Sequence, residues 1–293
     1  MHTPRFIVAG LILLGAPIFT SCDSGRPPDS PPVPCTSLSG EVDTAFATNG
    51  WFIHDGATGG NGSDLSHALV EDAQGRIIIA GESTGAAPGS EMVLWRLLPD
   101  GSPDASFGGV GWITHQGAAG GSAGDVAYGV VVDGQGRIVA TGASSGAGGN
   151  ALDMAVWRYL EDGTLDPGFG VGGVFTHHDG AGGGDQDIGR DLIVDANDRI
   201  VVTGSSLNAT FGVSMMVWRL TGDGVLDSRL GGGGFVAYLG DDPSPGIASG
   251  NALAQDPSGM ILVAGTSTVF GPAMTIWRLR DDGGLDPEWG GTG

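Results

Sequence analysis

The chain has 293 residues, of which 57 are Gly, 40% are hydrophobic and only 15% are charged. All twelve of its basic residues are Arg, set against 33 Asp+Glu, for a net charge of −21. Glycine at this density excludes a helix-rich fold, because each interior helical Gly costs about 1 kcal/mol relative to Ala. The glycines keep no three-residue period, which excludes collagen. Apolar content with seven Trp excludes disorder, and the acidic surface would repel nucleic-acid phosphates. What remains is an acidic β protein long enough to bury a sizeable core.

The first element is an address. Arg5 precedes an apolar run over residues 6–19 (FIVAGLILLGAPIF), shorter than the ~20 residues of a spanning helix. Residues 1–21 read as an export signal and stand outside the fold. Thr20 and Ser21 lead into Cys22, which resembles the lipobox of bacterial lipoproteins, with Phe19 where Leu is usual. The resemblance implies lipidation of Cys22 and a chain anchored to a bacterial membrane in the cell envelope, periplasmic or at the cell surface. The other reading is an ordinary secretory signal, with Cys22 and Cys35 closing a small disulfide loop in an oxidising compartment and the chain secreted. Residues 22–39 form a tether: five of the twelve residues 23–34 are Pro, favouring extended polyproline II at about 3.1 Å per residue.

From residue 40 to 293 the chain repeats itself. Trp-Arg recurs at Trp95-Arg96, Trp157-Arg158, Trp218-Arg219 and Trp277-Arg278, in steps of 62, 61 and 59. Gly81, Gly142, Gly204 and Gly265 keep steps of 61, 62 and 61. Asp43, Asp104, Asp166, Asp227 and Asp286 each open a similar glycine-rich phrase. Four copies of a unit of about 61 residues follow from these markers.

Within the third copy, residues 192–195, 199–203 and 215–220 read as three strands, and residues 173–177 as the strand before them. Asp-x-x-Gly turns at 72–75, 133–136 and 256–259, with Asp-Ala-Asn-Asp at 195–198, join the first two strands. Asp caps such a turn, and Gly or its Asn/Asp substitute takes the positive φ. Asp-Gly pairs at 100–101, 162–163, 223–224 and 282–283 close the third strand. A four-stranded unit in tandem, each with an aromatic signature, predicts an all-β, β-propeller-like fold. The phrases DGxLDxxFGxGG and DxxGRIxxxG resemble the delta-60 repeat of bacterial propeller-like proteins, which implies this fold and no particular chemistry. The fourth copy departs at Met260 in place of Arg, and Leu230 stands in place of Phe.

The architectures that fit are a closed ring of four blades, or an open arc or half ring that is incomplete, pairs with a second chain or belongs to a truncated gene. Residues 51–54 are expected to complete the last blade as its fourth strand, which would close the ring and remove open edges. Residues 285–293 duplicate the lead-in at 41–50, which argues for the open form.

Candidate sites follow from the propeller reading. Loops 55–66, 116–127, 178–189 and 239–250, with 82–91, 143–153, 205–214 and 266–273, vary between copies and collect on one face. That face is the expected seat of a protein or carbohydrate ligand. His54, His115 and His177 occupy equivalent outer positions, too far apart to share a metal. His67 and His178 have no equivalents and read as solvated loop residues. Asp64, Asp125 and Asp187 recur before each first strand, and with backbone carbonyls would supply weak calcium sites. The repeated Arg of Trp-Arg points away from the Trp face, with Asp104 or Asp166 as its partner. No Gly-x-Ser-x-Gly elbow follows a strand, no His-Glu-x-x-His occurs, and a phosphate loop is impossible without Lys. A binding or scaffold protein is therefore the expected role. An extracellular hydrolase or lyase working with loop carboxylates is the alternative.

Overall fold

The computed structural model describes residues 42–85, 88–147, 151–209, 212–238, 246–268 and 271–290. The signal, the tether, Cys22 and Cys35 lie outside the described residues. The chain falls into two compact units, Met1–Gly50 and Trp51–Gly293. In the first, the described residues form a turn in which Asp43 Oδ1 accepts the Ala45 N–H at 2.9 Å.

The second unit is all-β, with fifteen strands and no helix among the described residues. Blade 1 comprises β1 (Asp64–Glu71), β2 (Ile77–Thr84), β3 (Ser90–Leu97) and β4 (Trp112–His115). Blade 2 repeats it with β5 (Gly120–Val132), β6 (Ile138–Gly146), β7 (Leu152–Tyr159) and β8 (Val174–His177). Blade 3 follows with β9 (Gly182–Val194), β10 (Ile200–Asn208), β11 (Val213–Leu220) and β12 (Phe235–Tyr238). Blade 4 has three strands, β13 (Ala248–Gln255), β14 (Ile261–Ser267) and β15 (Ala273–Leu279). Each blade is an antiparallel meander. The first strands of successive blades touch one another, so they form the inner edge.

The turns that set this meander are those the sequence specifies. Gly75, Gly136 and Gly259 take positive φ at the end of their Asp-x-x-Gly turns, and in the third copy Asp198 takes φ 61° in glycine's place. The leading Asp caps each turn: Asp72, Asp133, Asp195 and Asp256 accept N–H groups two residues on, at 2.8–2.9 Å. Side chains facing the next blade make three shared cores. Ile78, Leu94 and Phe107 of blade 1 meet Val130, Ala140 and Trp157 of blade 2. Val139 and Val156 then meet Leu192 and Trp218, and Val201 and Val217 meet Leu253 and Trp277. Trp157 and Trp218 are fully buried.

Two expectations are corrected. Residues 52–54 form no strand, and β14 is the only strand that pairs with β15 among the described residues, so no described segment completes blade 4 as its fourth strand. The loops at 116–127 and 178–189 are largely strand, because β5 and β9 are each thirteen residues long and pair Gly120 with Gly146 and Gly182 with Asn208.

Candidate functional site: a row of dissimilar side chains on the inner edge

Two sets of polar groups recur between blades. In the first, the buried arginine of each Trp-Arg pair grips the expected aspartate: Arg96 to Asp104 at 2.8 Å, Arg158 to Asp166 at 2.8 Å, Arg219 to Asp227 at 3.0 Å. The guanidinium also donates to a backbone carbonyl in the next blade's Asp-Gly turn, from Arg96 to Glu161 at 2.5 Å, from Arg158 to Gly222, and from Arg219 to Asp281 at 2.8 Å. Arg96 and Arg158 lie over the rings of Phe107 and Phe169, at 4.7 and 4.6 Å from the centroids. Charge, carbonyl and ring together serve one planar cation.

The second set holds the calcium candidates. The Trp95, Trp157 and Trp218 indole N–H groups each donate at 3.3 Å to the Nδ1 of His54, His115 and His177. Asp64 lies 3.2 Å from His54 Nδ1, and Asp125 3.3 Å from that of His115. Asp125 also accepts from the Ser144 hydroxyl at 2.6 Å and the Ala118 N–H at 3.1 Å, and Asp187 accepts the Gly180 N–H at 3.0 Å. Burial raises the Asp187 pKa and lowers that of His177. Calcium seeks six to eight oxygens, whereas Asp125 and Asp187 face N–H and O–H donors of their own chain; Asp64 keeps one buried oxygen, Oδ1, without a partner. Among the described residues no group of three or more His, Cys, Asp or Glu gathers to hold a metal. Both sets repeat blade after blade, so both are joints of the scaffold. Exposed His178 pairs with Asp153 at 2.7 Å, and this hydrogen bond raises its pKa.

Where the copies stop resembling one another is the bulge in each first strand. The pairing of β1 with β2 skips His67, and the equivalent ladders skip Tyr128, Arg190 and Asn251. A bulge leaves its extra residue out of the ladder and re-aims its side chain. It also explains the 61-residue glycine marker. A Cβ on Gly81, Gly142, Gly204 or Gly265 would come within 1.8 Å of the first strand's carbonyl oxygen, at Leu65, Val126, Ile188 and Ser249.

The bulges bring together residues separated by a full repeat. The His67 and Tyr128 rings lie 5.0 Å apart, and the Arg190 guanidinium is 5.8 Å from the Tyr128 centroid. His67 Nε2 is 3.5 Å from Glu82 on β2. Arg190 Nε is buried with no hydrogen-bond partner. Burial raises the Tyr128 pKa and Glu82 adds to it, so the phenol stays protonated as a donor. His67 is thus a strand residue beside Tyr128 rather than a loop residue, and it stays exposed as expected. Its signal in the sequence is the column His67, Tyr128, Arg190, Asn251, four different side chains at one position of the repeat.

The β-propeller family model described as "Domain of unknown function (DUF5122)" matches residues 74–107 and 136–169, which hold the second and third strands of blades 1 and 2. No curated protein matches the chain. A protein of unknown function from Dyadobacter fermentans is similar in structure, with TM-score 0.47 and 13% identity over 77% of this chain and 68% of that one. An endo-arabinase from Bacteroides thetaiotaomicron gives 0.44 and 12% over 79% and 80%. A gluconolactonase from Xanthomonas campestris gives 0.38 and 15% over 75% and 60%. At these values the likenesses bear on neither substrate nor reaction. Four successive blades, two of them matched by a β-propeller family model, make the chain a β-propeller-like repeat protein.

Proposed function

We propose that this is an exported binding or scaffold protein of delta-60 type repeats, held to a bacterial membrane through lipid on Cys22, with a carbohydrate ligand seated on the inner row. Support for the anchor is the apolar run ending in small residues before Cys22, followed by a proline-rich spacer. The observation that carries the ligand reading is the row His67, Tyr128, Arg190 and Asn251. Aromatic faces suit the C–H face of a sugar ring. Arg190, with its unsatisfied Nε–H, and the Tyr128 hydroxyl suit its oxygens. A hydrolase would need Glu82 and a second carboxylate across the row; among the described residues the row is otherwise built of His67, Tyr128, Arg190 and Asn251.

The test is calorimetric titration with a panel of neutral and uronic-acid oligosaccharides, using the full chain and the variants Arg190→Ala and Tyr128→Ala. Binding that weakens at least about tenfold in each variant, the worth of one good polar contact, is the expected result. Binding indifferent to both changes, or absent across the panel, overturns the reading.

A further inference from the structure

The two ends of the blade series expose surfaces that every interior blade buries. Leu69 on β1 is 70% exposed, while its equivalents Val130, Leu192 and Leu253 are 6%, 1% and 9% exposed. At the other end Met274 on β15 is 76% exposed, while Met92, Met154 and Met215 are fully buried. Ile276 is 44% exposed against complete burial of Leu94, Val156 and Val217. The front of blade 1 is thus the half of a blade–blade interface whose other half is the back of blade 4. The molecule builds that same interface three times internally.

The backbone is divided in the same way. In blade 1, β4 pairs with β3 in the register Trp95↔Trp112 to Met92↔His115, and His115 then receives the Trp157 indole of the next blade. Residues 51–54 match β4 residue for residue in place: His54 receives the Trp95 indole at 3.3 Å and lies 3.2 Å from Asp64. They sit on blade 1 as the last strand of a preceding blade would sit. Trp51 and Ile53 are exposed, and β15 has a free edge among the described residues. One end carries a segment placed as a fourth strand but paired with no blade, and the other a blade without a fourth strand among the described residues.

We propose that a second copy of this chain occupies both ends, so that each copy lays residues 51–54 along β15 of the other and packs its blade 1 against the other's blade 4. The interior register transfers directly, giving Trp277↔Trp51, Ile276↔Phe52, Thr275↔Ile53 and Met274↔His54. A head-to-tail contact of this kind either closes or propagates. Two copies carry eight blades, at the upper end of the roughly 4–8 found in closed propellers. Closure leaves no exposed strand edge. The proposal stands independently of any ligand on the inner row.

Light scattering after size-exclusion tests it on the full chain, in a mild detergent that keeps the N-terminal apolar run soluble. The unmodified chain is expected at twice the single-chain mass. Met274→Glu/Ile276→Glu spoils only the blade 4 face, and Ile53→Glu/Leu69→Glu only the blade 1 face, and each variant alone is expected at the single-chain mass. Mixed in equal amounts, they retain one intact pair of faces and are expected to regain the two-chain mass, which also shows that both variants fold. Single-chain mass for the unmodified chain over a concentration range on the order of a hundredfold overturns the proposal. So do a two-chain mass that survives either variant, a mixture that stays at the single-chain mass, and an open series of growing masses.

Discussion

Blades 2 and 3 meet through a joint that blades 3 and 4 build from different atoms. At the first junction the Trp218 indole donates to His177, and buried Asp187 stands behind it. At the second, Tyr238 replaces the histidine and Ala248 the aspartate, and the Tyr238 hydroxyl instead donates to the Gly283 carbonyl. The arginine set changes too. In blade 4 Met260 takes the place of Arg76, Arg137 and Arg199, each of which holds its turn aspartate at 2.6 Å. Arg278 then swings to that duty, reaching Asp256 at 2.6 Å while keeping Asp286 at 2.8 Å. Trp277 and its apolar neighbours stay in register throughout. The apolar interlock is common to every junction, and the polar strut across it is interchangeable.

The largest expected effect separates an interior junction from an open end. Trp157 lies in the core shared by blades 1 and 2, while Trp95 belongs to none of the three shared cores. Trp157→Ala is expected to cost about 3–5 kcal/mol, as for other buried aromatics, and Trp95→Ala, at a residue 5% exposed but outside the shared cores, distinctly less, both by denaturant titration on the single-chain form set by Met274→Glu/Ile276→Glu. Equal losses would show that blade 1 is covered as fully as blade 2.

A second contrast lies in the arginines. Arg158→Ala strands buried Asp166 and frees the Gly222 carbonyl, and is expected to cost about 3–5 kcal/mol, the range for breaking a buried pair. Arg278→Ala, at a position 21% exposed, is expected to cost much less. Comparable midpoint shifts in thermal melts would mean that burial of the interior arginines contributes nothing.

The smallest effect is in pH. Burial works to raise the pKa of Asp104, Asp166 and Asp227, but hydrogen bonds from Ser106, Gly168 and Arg229 and the paired arginines outweigh it and lower all three. In blade 4, burial again opposes, while Ser258 and Arg278 hold Asp256 at about 2. A folded value below the unfolded 3.8 means stability present in full above about pH 4 and lost as the pH falls toward 2. Melting temperatures from pH 5 to 2 should fall steadily, and Asp256→Asn should flatten part of that slope. A slope unchanged in Asp256→Asn would remove blade 4 from the acid response.

Much of this was legible in the sequence because it is local. The repeat markers give blade number, the Asp-x-x-Gly turns give the hairpins down to the positive φ of Asp198, and alternation along the strand gives the Arg158–Asp166 pair. The inner row was legible only as a column that differs between copies, and not as a row of bulges, because a bulge is a property of two strands in register. Nothing within residues 64–71 marks His67 as the skipped position. Nor do residues 51–54 announce that they lack a partner. Their composition is that of β4, and pairing depends on where β15 lies.

The arginine clasp has a direction. Arg96, Arg158 and Arg219 each leave their own blade to hold a turn carbonyl of the next, at Glu161, Gly222 and Asp281. Every interior copy therefore carries both a plug and a socket, and the part of the socket common to all three is a backbone carbonyl, to which Arg219 alone adds a side chain, the Asp281 carboxylate at 2.9 Å. A gene lengthened or shortened by one whole unit would encode a chain whose new junction is already complete. For the carbonyl contact itself, growth by duplication requires no matching side chain on the other side of the seam, and the bulge positions, which lie away from it, differ copy by copy.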